Sequence, residues 1–232
     1  MNGTSNISED GSDNENEAPK IAAAATIPAS GKIGAEAESG TATGDFGPEN
    51  HEKTECDCGK DGHYDKVACN EVIKAPLGKV WNCVFGDNKD FMLSFLRDNQ
   101  KVQGMFDQED FSVTTDITLG DWKNGSAVKR GRQVNYIKPL NNSMGPKQTK
   151  CNITEQIHVQ DFNSACVALT ITTTPDVPSG SSFQVMTKYC MTWAGGPATR
   201  VLITFAIEWS KSSWLKGAIE KGVNEGQISF AR

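Results

Sequence analysis

From Cys151 to Trp209 the chain repeats one pattern four times: apolar residues at alternating positions, then a turn signal. Cys151, Ile153, Ile157 and Val159 alternate with Asn152, Thr154, Gln156 and His158. Ala165, Val167, Leu169 and Ile171 form the second run, and Phe183, Val185, Tyr189, Met191 and Trp193 the third. Gly195-Gly196-Pro197 separates these from Val201, Ile203, Phe205, Ile207 and Trp209. Successive side chains of a strand point to opposite faces, so such runs predict an antiparallel meander with one face in and one face out. Two runs precede them. Phe111, Val113, Thr115, Ile117 and Leu119 share one face, and past a turn at Lys123-Asn124-Gly125 residues 126–138 carry Val128, Val134, Tyr136 and Ile137.

Helical periodicity flanks the meander. After a short strand in "KVACNEVIK", Pro76 opens a helix at the position where its missing N–H costs nothing. Leu77, Val80, Trp81, Val84 and Phe85 then follow the stripe of a half-buried helix, and Gly86 ends it. Asp87 or Asn88 can cap a second helix bearing Phe91, Met92, Phe95 and Leu96. At the other end Ser212 or Ser213 can cap a long helix with Leu215, Ile219 and Val223 on one face and Ala218, Gly222 and Gly226 beside it. The small-residue stripe signals either close packing on the sheet or a need for room, since helical glycine costs about 0.5–1 kcal/mol against alanine. The order is strand, two helices, six strands, one long helix. It predicts an α+β helix-grip (StART-like) fold, a curved seven-stranded antiparallel sheet around the C-terminal helix. A sheet curved around one helix leaves a cavity suited to an apolar ligand.

Charge divides the chain. Residues 1–65 hold 14 Asp/Glu against 4 Lys/Arg, whereas residues 66–232 hold 15 against 19, so an acidic segment precedes a mildly basic one. "NGTSNISEDGSDNENEAP" lacks the large apolar residues needed to offset chain entropy, and 1–65 reads as a disordered acidic linker ahead of a domain over 66–232. The acidic opening, with no apolar core behind it, is unlike a signal peptide, and no stretch approaches the roughly 18 apolar residues of a membrane helix. The seven cysteines read as free thiols of a reducing compartment. His51, Cys56, Cys58, His63 and Cys69 form a cluster of zinc-ligand types, but Cys56 and Cys58 stand closer than the usual pair spacing and the segment reads as linker, so no metal is expected.

Three stretches, "EVIKAPLGKVWNCVFGDNKDFMLSFL", "NNSMGPKQTK" and "WSKSSWLKGAIEKGVNEG", resemble in order the VASt domains of the Lam and Aster sterol-transfer proteins, fungal Lam-type second StART-like domains above all. The resemblance runs from about Lys66 onward. It implies a sterol such as ergosterol in the cavity, a lid over residues 138–150, and a cytosolic setting where endoplasmic reticulum meets plasma membrane. On that reading Leu140 and Met144 cover the ligand or dip into lipid, and Gly145-Pro146 sets the bend. Lys138, Lys147 and Lys150 face an anionic membrane surface, each worth about 1 kcal/mol there. Ala218 and Gly222 border the ligand, with Tyr189 nearby. Glu155, in phase with Ile153 and Ile157, and Thr187, in phase with Val185 and Tyr189, are candidates to meet the sterol hydroxyl.

Other classes find less support. His158, in phase with the polar side of its run, reads as a solvated surface residue and the only histidine of the folded part. No phosphate loop or nucleophile elbow is present, and Glu109-Asp110 reads as turn punctuation, so no catalytic residue and no cofactor are expected. Basic residues without interleaved aromatics argue against nucleic acid. The chain reads as a monomeric lipid-transfer domain. The alternatives are a carrier for another lipid, an anionic-lipid tether without transport, and a helix-grip enzyme.

Overall fold

The computed structural model describes residues 46–58, 62–102, 118–125, 129–140 and 145–232. Every described residue lies in one compact unit. Its elements are β1 (Lys66–Ile73), α1 (Leu77–Phe85), α2 (Asp90–Ser94), β2 (Thr118–Leu119), β3 (Lys123–Asn124), β4 (Arg130–Pro139), β5 (Gln148–Gln160), β6 (Ala165–Thr173), β7 (Phe183–Trp193), β8 (Thr199–Trp209) and α3 (Lys216–Phe230). α2 runs into a single π turn at Phe95–Asn99.

The sheet is antiparallel throughout, in the order β1-β8-β7-β6-β5-β4, with β2 and β3 both pairing the outer edge of β4. That makes seven lanes, as the alternation predicts. Lys123-Asn124 is not a turn but the short strand β3, opposite Arg130 and Gly131. Phe111, Val113, Thr115 and Ile117 lie outside the described residues.

α1 is the anchor of the core. Leu77 and Trp81 are wholly buried and Phe85 nearly so, because their spacing turns all three toward the sheet. They meet Ile157, Cys166, Ala168, Met191, Trp193, Val201 and Ile203. Each such side chain contributes about 1.5–3 kcal/mol on burial. Gly78 lets the preceding chain cross this helix closely, since a Cβ there would fall 1.8 Å from the Phe46 carbonyl oxygen.

α3 crosses the same face of the sheet, yet none of its residues is fully buried. Ile219 and Val223 rest on Phe183, Val185 and Phe205. Polar contacts complete the attachment: Lys66 to Asn224, Trp209 to Glu220 and Thr187 to Gln227. Phe230 closes edge-on against Phe95 of the π turn. Ser213 accepts the Leu215 amide at 3.1 Å, capping the turn that leads into the helix.

The opposite face of the sheet is covered as well, and this corrects the boundary at residue 65. Residues 46–58 and 62–65 are part of the folded unit. Lys79 of α1 pairs with Glu49, His51 bridges to Gly196, and Thr54 exchanges hydrogen bonds with the Trp193 backbone. Tyr64 then donates its amide to Thr204 Oγ1 at 3.1 Å. The segment wraps one end of the sheet and lies across its outer face. Its composition hides this because the hold is by backbone hydrogen bonds and small polar groups rather than large apolar residues.

Two β-bulges break the alternation, one at β1 beside β8 and one in β5 between Ile157 and Val159. The second falls on His158. It is half-buried, its Nε2 finds no hydrogen-bond partner among the described residues, and burial holds its pKa below the ordinary histidine value. The expectation of a solvated His158 is corrected, and it shares the folded unit with His51 and His63.

Candidate functional site

Between α1 and α3, side chains of neighbouring strands line up in rows across the helix-bearing face. One apolar row runs Val134, Ile153, Thr172, Val185, Ile207, and another joins Ile157, Ala168, Tyr189 and Ile203. The row between them is polar: Arg132, Glu155, Thr170 and Thr187 stand side by side on β4, β5, β6 and β7, ending at Phe205 on β8. All four are at most 7% exposed. A buried polar row inside an apolar trough costs stability unless it is satisfied, so its partners matter.

Arg132 Nε donates to Glu155 Oε2 at 2.5 Å, and the guanidinium also donates to the carbonyls of Val84 and Gly86. Its Cζ lies 4.2 Å from the centre of the Trp122 ring. Arg132 thus satisfies the free carbonyl end of α1, where a cation is favoured. Burial lifts the Glu155 carboxyl above its usual range, with Arg132 opposing the shift. Glu155 therefore points into the face that the sequence indicates, but its carboxylate is engaged by Arg132.

Thr187 also faces inward, and its hydroxyl donates to Gln227 Oε1 of α3 at 3.1 Å. Tyr189 stands edge-on to Phe85 at 5.2 Å. Desolvation raises the phenols of Tyr136 and Tyr189, which stay neutral donors at physiological pH. Thr170, Thr187, Tyr189 and Gln227 are thus uncharged hydroxyl and amide groups set among apolar neighbours, the type of lining that fixes one polar end of an otherwise apolar molecule. Thr170, Arg132 and Gln227 escaped the sequence reading. Arg132 was visible in the alternation, in phase with Val134 and Tyr136. Thr170 was not, since it is out of phase with the apolar run Ala165, Val167, Leu169 and Ile171, which the register sends to the outer face beside Lys188 and Cys190. Gln227 needed the docked position of α3.

Ala218 and Gly222 are exposed on α3, and a Cβ added at Gly222 would meet no described atom within 4 Å. The stripe does not serve close helix-on-sheet packing. It borders open space.

At one end of the sheet lie the β4–β5 hairpin, the 174–182 loop and the stretch leading into α3. Leu140 donates its amide to the Lys147 carbonyl at 2.7 Å, closing the hairpin. Gly145 has φ +93°, a conformation that strains any side chain, and no described atom lies near it. Lys138 lies 5.9 Å from the Phe230 ring, and the Lys150 amide reaches Asp176. Pro146 is half-buried and Lys147 exposed, while Met144 lies outside the described residues. Ser179 joins Ser213 at 2.9 Å, which brings Trp214 to this end. Trp214 is 92% exposed between Lys211 and Lys216, an exposure that the helical pattern of its stretch does not signal.

Residues 67–226 match the model of the VASt family, the VAD1 Analog of StAR-related lipid transfer domain. An uncharacterized membrane protein of Schizosaccharomyces pombe is 38% identical over 72% of the chain and 20% of its own length. The membrane-anchored lipid-binding protein LAM5 of Saccharomyces cerevisiae is 31% identical over 72% of the chain and 24% of its length. The mouse protein Aster-A is 27% identical over 53% of the chain and 17% of its length. The chain therefore spans a quarter or less of these relatives. Among the described residues no helix is long and apolar enough to cross a membrane.

Proposed function

Since the chain belongs to the VASt family of StART-like domains, with fungal Lam and mammalian Aster proteins among its relatives, we propose that it binds a sterol between its sheet and α3 and transfers it between membranes. The carrying observation is the row Glu155, Thr170 and Thr187 set between two apolar rows, with Gln227 reaching it from the helix. A sterol has one hydroxyl on a rigid apolar body, so it needs one uncharged partner and an apolar bed. Thr187, Thr170 and Tyr189 fit that need better than Glu155, whose charge is already spent on Arg132.

Entry and exit are assigned to the 138–150 hairpin. Leu140 covers the mouth, and Gly145 supplies the bend. Lys138, Lys147 and Lys150 contact anionic headgroups. Trp214 adds an interfacial anchor, since tryptophan favours the headgroup region. The setting is a contact between endoplasmic reticulum and plasma membrane, with the membrane anchor elsewhere in a longer protein. No enzymatic step is invoked.

Titration with a fluorescent sterol, with native mass spectrometry alongside, tests the reading. The expected result is saturable binding of one sterol per chain. Binding of phospholipid with no sterol would favour the general lipid carrier, and vesicle binding with no extracted lipid would favour the tether.

A further inference from the structure

The outer face of the sheet carries a second site, unrelated to the trough. Cys56, Cys58 and His63 of the wrapping segment converge on Cys190 of β7, and the four ligand atoms all lie within 4.8 Å of one another. Cys56 Sγ and His63 Nε2 are 3.3 Å apart. We propose that these four residues hold a structural zinc ion that fastens the N-terminal wrap to the sheet.

Geometry carries the proposal. Zinc sits about 2.3 Å from thiolate sulfur and about 2.0–2.1 Å from imidazole nitrogen, which places tetrahedral ligand atoms roughly 3.5–3.8 Å apart. The observed cluster, with one pair at 3.3 Å and every pair within 4.8 Å, lies close to that scale. Three sulfurs with one nitrogen, four protein ligands and no open position make a closed structural site rather than a catalytic one. The single-residue gap between Cys56 and Cys58 argues against zinc only for an extended segment. Here Cys58 lies in a turn, and both thiols face the same point. The missing partner was Cys190, which no local spacing could reveal. Its neighbours Tyr189 and Met191 face the trough, so strand alternation sends Cys190 to the outer face.

The ligands are also held in place. Thr54 is bonded to Trp193 and Ser164 ahead of the cluster, and Tyr64 to Thr204 just after it. Lys188 donates to the Gly62 carbonyl and lies 5.5 Å from the Tyr64 ring. Three thiolates around a divalent ion leave one net negative charge, and Lys188 is placed to balance it. All three cysteines are free thiols, available as ligands.

The test uses the full chain, expressed with zinc and purified under reducing conditions without chelator. The proposal predicts about one zinc per chain by mass spectrometry of the metal, as a closed four-ligand site requires. Cobalt in place of zinc should give the intense visible bands of a tetrahedral thiolate site, a readout independent of sterol binding. Cys190→Ser should abolish metal retention. Cys83→Ser, at an exposed thiol remote in sequence from the cluster, should retain it. Wild-type protein with no retained zinc and no cobalt bands, or with a disulfide between Cys190 and Cys56 or Cys58, would overturn the site.

Discussion

α1 and α3 lie on the same face of one sheet and are held there by different physics. α1 buries Leu77, Trp81 and Phe85 in a dense apolar cluster, and Arg132 satisfies its last carbonyls. α3 buries no residue fully and rests on the half-buried Ile219, Val223 and Phe230 and a few polar contacts. The first is a structural anchor. The second is a wall that a ligand can complete, because sites that open are drawn from the less stable parts of a fold. The polar row Arg132, Glu155, Thr170, Thr187 is sealed at the α1 end and reaches an adjustable partner, Gln227, at the α3 end.

The largest expected effect is on stability and separates the helices directly. Trp81→Ala should cost about 3–5 kcal/mol, the usual range for an aromatic removed from a core. Ile219→Ala on α3 should cost about 1 kcal/mol, near the centre for ordinary substitutions. Denaturant unfolding of the two variants measures this, and equal losses would erase the distinction between anchor and wall.

Next comes transfer. Gly145→Arg forces a side chain onto a backbone at φ +93° and sets a charge at an apolar mouth. Sterol transfer between liposomes should fall about tenfold, equivalent to roughly 1.4 kcal/mol on the limiting step. Melting should hardly move, because the residue packs against nothing described. Retained binding with lost transfer would identify a gate, and lost binding would make the hairpin part of the pocket.

A smaller effect tests the membrane rim. Reversing charge at Lys138, Lys147 and Lys150 together should slow transfer between anionic liposomes more than between neutral ones, and salt should mimic it. Trp214→Ala should slow transfer on both, since its contribution is apolar.

Smallest is a pH effect at the sealed end of the row. Burial raises the folded pKa of Glu155, so the folded state binds its proton more tightly than the unfolded chain. Stability contributed by this group should therefore decline as pH rises from the unfolded carboxyl value through the folded one. Glu155→Gln should flatten that part of the unfolding profile.

Much of this plan was legible in the sequence for a physical reason. Alternation in β5 up to Ile157, in β7 and in β8 fixes which residues share a face, and it puts Glu155 and Thr187 on the helix side where the structure finds them. In β6 it misleads, because both faces are apolar: Ala165, Val167, Leu169 and Ile171 turn outward, and Cys166, Ala168, Thr170 and Thr172 face the helices. The α1 stripe was equally plain. What escaped depends on partners distant in sequence. The bulge that diverts His158 exists only opposite β6, Arg132 acquires meaning only beneath the end of α1, and the wrap over residues 46–64 is held by Trp193 and Thr204. Cys190 joins Cys56, Cys58 and His63 only once β7 is in place.

Hydrogen exchange with and without sterol is the most direct test of α1 as anchor and α3 as ligand-completed wall. Amides of α1 should exchange slowly in both states. Those of α3 and of the β4–β5 hairpin should exchange quickly without ligand and slow markedly when sterol binds. Protection of α3 that already equals that of α1, or that does not change when sterol saturates the protein, would contradict the account.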